Sequence, residues 1–408
     1  MGVGVLVVGA MFAGGGASEE SVAGNEPALR KQALALNDVT GADPMSGALK
    51  KLGGDAKAAK QLLAVAAKMA KESPQPFNRN ATLLLGIVAE NAKEVDTSAA
   101  FYRLHAKQSL ALLSERGLTQ AYGRLIDLYL KHKRYTEGEK ACKEFLALEG
   151  EEDEAVERLK PMVMRQLVLV VAKQGATDRA LKMVEEMVKA DPRNWLYRAL
   201  KAQVLHEAEQ YDEAAKVYLD VIERVERDGR LEKDDKQEFL DDYRYALSNL
   251  YIEVGNVEKA AEQLKILLAR KPNNPTYNND LGYIWADKGL NLAEAEKHIR
   301  RAIEEERKLR KEENIKEDNA AYLDSLGWVL FKQGKAKEAK PHLLSAVKSS
   351  EGQSIEIYDH LADVHLALGE KDEAIAVMKK GLEVAGTSKR EVKRKAEVEK
   401  KLKMHEGK

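Results

Sequence analysis

Across residues 319–348 (NAAYLDSLGWVLFKQGKAKEAKPHLLSAVK) apolar and small side chains recur at three- and four-residue steps, stop at Gly334, and resume with the same period. That period marks one buried helix face, and a glycine between two such runs marks a turn, so the stretch predicts two short helices packed back to back. With Leu326 as reference, matching positions occur at Leu85, Leu125, Leu167, Lys201, Leu247, Leu281, Leu326 and Leu361, spaced by 40, 42, 34, 46, 34, 45 and 35 residues. About eight hairpins are therefore predicted over residues 74–386. Charged inserts at 150–160, 227–236 and 304–318 account for the longer spacings and predict longer second helices or loops at one edge.

Two features not used to set this register agree with it. Most second helices carry a short side chain where the two helices must approach: Ala180, Ala214, Ala260, Ala295, Ala339 and Ala374, with Gly138 in the unit of Cys142. Pro192 and Pro272 fall where one helix has to stop and the next begin. Residues 18–73 are less regular. Stretches 27–36 and 56–71 look helical, separated by the turn formers Gly41, Pro44, Gly53 and Gly54, as expected of an N-terminal cap or degenerate repeat.

In the reference hairpin Leu326-Gly327, Leu330, Ala339, Leu343 and Ala346 stand in the order Leu-Gly, large, Ala, large, Ala. The sequence resembles the tetratricopeptide repeat (TPR) family of bacterial type over about residues 81–386. The likeness is strongest in the last four units (LGYIWAD, YLDSLGW) and weakest at Lys201, where the register is open by a residue. The resemblance implies an all-α protein, an α-α superhelix whose concave face is lined by first helices and takes extended peptides or a partner helix.

On that geometry the positions two before, two after and five after each Leu look into the groove. They are Tyr245, Asn249 and Ile252; Asn279, Tyr283 and Ala286; Asp324, Trp328 and Phe331; and Asp359, Asp363 and Leu366. Asn bonds both the N–H and C=O of an extended chain, aromatic rings supply apolar area, and carboxylates favour Lys or Arg on a ligand. The expected function is a non-catalytic scaffold binding an extended, basic or amphipathic protein segment. Tyr245, Asn249, Asn279, Tyr283, Asp324, Trp328, Phe331, Asp359 and Asp363 are the candidate contacts. Leu326, Leu330, Ala339 and Leu343 are expected to hold the stack, leaving Asp324, Trp328 and Phe331 free of that duty. Family members that grip a C-terminal carboxylate use Lys, Asn and Arg at these positions; Asp, Asn, Tyr and Ser here argue against that subtype.

Composition narrows the alternatives. Charged residues are 33% and aromatics 6%, with Lys plus Arg at 66 against Asp plus Glu at 67, so no net positive field gathers phosphates. A helical-repeat RNA binder would need a basic, stacking groove, and the predicted one is acidic. An accessory subunit of an enzyme complex is the other alternative. The single cysteine, Cys142, excludes an intrachain disulfide and falls where a repeat wants a buried residue.

No two of the eight histidines have the spacing of a metal pair on one helix face, and His360, Asp363 and His365 come nearest to a cluster. No phosphate loop or nucleophile elbow is present, so no catalysis, cofactor or metal is expected.

Residues 2–17 form an apolar run ending in small residues, too short to span a bilayer, and read as a signal peptide cleaved near Ala17. Export to the periplasm is the expectation; the usual basic residue after Met1 is missing, which counts against it and leaves a cytoplasmic protein as the alternative. No later segment is apolar enough to cross a membrane. Residues 389–408 carry nine Lys or Arg against four Glu, and 387–408 are expected to form a basic capping helix over the last unit that frays into a tail.

Overall fold

The structure is a computed structural model that describes residues 25–73, 75–148 and 154–407. The predicted signal segment lies outside the described residues, as does the start of the insert at 150–160. The described residues form 20 α-helices and no strand, in two compact units divided after Glu209.

The first unit contains α1 (Glu26–Ala35), α2 (Ala42–Gly53), α3 (Ala56–Glu72), α4 (Arg79–Asn91), α5 (Val95–Ala111), α6 (Glu115–Lys131), α7 (Tyr135–Leu146), α8 (Glu154–Lys173), α9 (Thr177–Ala190) and α10 (Trp195–Glu207). Helix α2 occupies the stretch that its Gly and Pro residues mark as turns. Gly41, at φ +86°, starts it, and Pro44 falls in the first turn, where a missing N–H costs nothing. One core joins α1, α3, α4 and α5 through Leu29, Leu62, Leu63, Leu85 and Phe101. A second runs from α4 to α10 and encloses Cys142, Phe145, Val168 and Val204. Each fully buried Leu or Phe contributes about 1.5–3 kcal/mol, so these cores and not helix propensity hold the hairpins. Lys201 is half-buried, while Ala202 beside it is fully buried and takes the place of the glycine in the Leu-Gly pair.

The second unit contains α11 (Tyr211–Arg227), α12 (Lys233–Glu253), α13 (Val257–Arg270), α14 (Pro275–Lys288), α15 (Leu292–Glu312), α16 (Ala320–Lys332), α17 (Ala336–Lys348), α18 (Ile355–Ala367), α19 (Lys371–Val384) and α20 (Lys389–Glu406). Helices α12 and α13, α14 and α15, α16 and α17, and α18 and α19 pack as hairpins. In the reference hairpin, Asn319 caps α16 by accepting from the N–H groups of Ala321 and Tyr322. A Cβ on Gly327 would lie 2.5 Å from Leu343 Cγ, so α16 and α17 approach where only glycine fits. Ala260, Ala295, Ala339 and Ala374 are fully buried at the matching approach in the second helices.

The turns that follow the first helices share one backbone conformation. Eight residues after each reference position the backbone is left-handed, at Lys93, Lys133, Gly175, Glu209, Gly255, Gly289, Gly334 and Gly369. Glu209 obeys this spacing from Lys201, the poorest sequence match. The inserts differ from expectation in part. Residues 304–318 lengthen a second helix, α15, but α8 and α12, which take up the other two, are first helices of 20 and 21 residues.

Candidate functional site

All nine candidate contacts lie on the first helices α12, α14, α16 and α18 of the second unit. They fall into an open part and a closed part. At the open end Tyr245 and Asn249 on α12 and Tyr283 on α14 are half-buried and line a cavity of about 630 Å³. Tyr245 donates to Asp280 at 2.9 Å, and its ring lies 5.3 Å from that of Tyr277. Burial, together with the Asp280 carboxylate, raises the Tyr245 hydroxyl above the ordinary phenol range. Ile252 is also half-buried at the cavity, whereas Ala286 is fully buried and does not reach it. Asn279 is 8% exposed; its amide donates weakly to Asp280 at 3.4 Å, and its carbonyl oxygen has no partner.

Farther along, the face closes. Asp324 is buried with its carboxylate 2.9 Å from His360 Nδ1 on α18. Trp328 lies flat on the His360 ring, centroids 3.9 Å apart and 13° from parallel, and stacks on Phe331 at 5.3 Å. Trp328 and Asp324 therefore pack one hairpin onto the next and are not free of that duty; Phe331 stays half-buried at the edge. Burial works against a charge on His360, but Asp324 outweighs it and raises the imidazole above its usual value. Tyr283 reaches past this cluster and donates to Glu356 at 2.6 Å.

On α18 the carboxylates face the basic helix α20. Arg390 pairs with Glu356, Arg394 with Glu356 at 3.1 Å and Asp359 at 3.0 Å, and Lys401 with both Asp359 and Asp363. Burial pushes the Glu356 carboxyl up, yet Arg390, Tyr283, His360 and Arg394 together hold it below the usual range. At Asp363 burial wins over Lys401 and the carboxyl is raised. Val398 of α20 is buried against Ile355, Ala362, Ala374 and Met378, and Leu366 packs at the margin of this cluster. The helix continues to Glu406 and starts with a capping box between Ser388 and Glu391.

Glu356 and the cations of α20 are the members the groove pattern misses. Their signal is the run Arg390, Arg394, Val398, Lys401, whose steps of four, four and three residues place them on one helix face. His365 lies 2.6 Å from Glu370 through Nδ1, away from His360, and the described residues hold no group of His, Cys, Asp or Glu able to take a metal ion. No described helix is long and apolar enough to cross a membrane.

Antiparallel helix hairpins in series define a helical-repeat protein. The tetratricopeptide repeat family model matches residues 166–228 and 245–311, and a second tetratricopeptide model matches 355–387. This chain is a tetratricopeptide repeat protein.

It is 31% identical over 149 residues to a TPR repeat-containing protein of Pseudomonas aeruginosa, a stretch that is 35% of this chain and 24% of that relative. The chain thus matches about a quarter of the length of that curated relative. Among solved structures it is similar to a tetratricopeptide repeat protein from Parabacteroides merdae, at 16% identity and a TM-score of 0.45, covering 69% of this chain and 99% of that one. It is similar also to a thermophilic TPR protein of Thermus thermophilus, at 21% identity and a TM-score of 0.35, covering 50% and 98%.

Proposed function

We propose that the protein is a non-catalytic scaffold whose first-helix face, from Tyr245 to Asp363, binds a basic or amphipathic segment of another protein. TPR proteins are in general interaction scaffolds of this kind. The observation that carries the finer reading is the cavity at Tyr245, Asn249 and Tyr283, which is lined also by the carboxylates Asp280 and Asp287 and whose Tyr283 donates to Glu356. Aromatic area beside partly buried carboxylates favours a ligand with both an apolar side and cations. Export of the protein belongs to the same proposal and rests on residues 2–17; a mature chain that keeps Met1 contradicts it.

The test is a tiled peptide array probed with the purified chain, then with the Tyr245→Ala, Tyr283→Ala double variant. The expected result is a bound set rich in Lys and Arg that weakens about tenfold or more in the variant. An unchanged set, with helicity preserved, overturns the proposal.

A further inference from the structure

Resting on that reading of the face, we propose that its occupant is a basic amphipathic helix of a partner protein, which enters by displacing α20, and that α20 is the in-chain stand-in for it.

The pairing already on the face is the first argument. Helix α20 has eight Lys or Arg against four Glu, and the three cations that reach α18 meet three carboxylates in a ladder: Arg390 with Glu356, Arg394 with Glu356 and Asp359, Lys401 with Asp359 and Asp363. The ladder fixes what an incoming segment must offer, namely cations at i, i+4 and i+11 with an apolar residue at i+8. Only a helix brings those four positions to one side. An extended chain would instead look for backbone partners such as Asn279, and Asn279 is 92% removed from solvent between its neighbours.

The second argument is how incompletely α20 fills the face. Val398 is fully buried and Leu402 packs partly buried against the same cluster, but Val392 and Met404 are 55% and 56% exposed. On the side towards α12 and α14 the cavity of about 630 Å³ remains, lined from α20 by Arg390, Arg394 and Glu397 and from α14 by Asp280, Asp287 and Lys288. A partner helix with the same cations and larger side chains can therefore keep every ion pair of α20 and add contacts with Tyr245, Ile252 and Tyr283.

Such a gain is required, because α20 is joined to α19 by only residues 385–388 and competes at an effective concentration in the millimolar range or above. Charge pairing sets the encounter and its salt dependence; filling the cavity decides the exchange.

The experiment is a fluorescence anisotropy titration of a labelled peptide of residues 388–407 against the full chain. The comparison chain carries Arg390→Glu, Arg394→Glu and Lys401→Glu in its own α20. The variant is expected to bind the peptide at least about tenfold more tightly than the wild type, since the tethered competitor has been removed. Adding Asp359→Lys and Asp363→Lys to a chain with Arg390→Gln, Arg394→Gln and Lys401→Gln, whose α20 cannot pair with the new lysines, should abolish binding.

Should the charge reversal unfold the last repeat, the milder Arg390→Gln, Arg394→Gln, Lys401→Gln set decides, with a smaller gain in the same direction. The proposal is overturned if neither set binds the peptide more tightly than the wild type, or if reversing Asp359 and Asp363 leaves the affinity unchanged. It is overturned in favour of a second copy if sedimentation shows the wild-type chain exchanging α20 between protomers. If the α20 peptide fails while array peptides still bind through Tyr245 and Tyr283, this inference falls and the scaffold reading stands. If both fail, both fall.

Discussion

Arg394 on the C-terminal helix donates to Asp359 on the first helix of the last repeat at 3.0 Å, and the aspartate side chain is only 4% exposed. A carboxylate so placed depends on its partners, because few waters remain to replace them. Arg394→Ala should cost about 1–3 kcal/mol, towards the lower end since Lys401 still holds Asp359. A double-mutant cycle with Asp359→Asn, read by urea denaturation, should return a coupling of about 0.5–3 kcal/mol. Additive losses would mean that the pair does not hold α20 in place.

The close approach of α16 and α17 gives a sharper contrast. Gly327→Ala forces a methyl group to within 2.5 Å of Leu343 Cγ, and the overpacking should cost about 1–3 kcal/mol. Gly123, inside α6, has open space around the same position, so Gly123→Ala should raise stability by about 0.5–1 kcal/mol through helix propensity alone. Equal effects of the two substitutions would contradict the packing described here.

His360 gives the fold a pH dependence whose sign is fixed. Its folded value is raised above 6.5, and the groups that face it are Asp324, Glu356, Tyr283, Arg394 and the Trp328 ring. A group with a raised value contributes fully below the unfolded pKa and loses that contribution as pH climbs through the folded one. The Tm advantage of wild type over His360→Asn should therefore be largest below about pH 6.5 and shrink at higher pH. An advantage that grows with pH would place a neutral imidazole against Asp324.

Cys142 should behave as a core residue. It is fully buried and burial pushes its thiol up to about 12. An aromatic disulfide reagent at pH 8 should leave it unmodified in the native protein and react promptly in denaturant. Rapid native labelling would mean that the α7 core opens.

The repeat register was legible because it rests on local periodicity: Leu247, Leu281, Leu326 and Leu361 are buried where the spacing put them. The turns were less so, since the left-handed residue is Lys93, Lys133 or Glu209 after three of the first helices and only the fold identifies it. Helix α2 was hidden by Gly41, Pro44, Gly53 and Gly54, which sit at its ends and first turn, where helices tolerate them.

At the candidate site the pattern put its residues on first helices, where the structure also has them, but did not tell which side chains stay open. Asp324 and Trp328 are covered by His360, a residue contributed by the following hairpin, and no pattern within one repeat reports its neighbour. The docking of α20 is a tertiary event of the same sort. The basic character of 389–408 was visible in the sequence, but the face that docks and the ladder it meets were not.

The most direct measurement is hydrogen exchange on the full chain, with and without the tightest peptide from the array. New protection is expected at residues 245–252, 280–287 and 356–363, together with faster exchange across 389–406 as α20 is released. Protection confined to the second helices or to the first unit, with α20 unchanged, would contradict it.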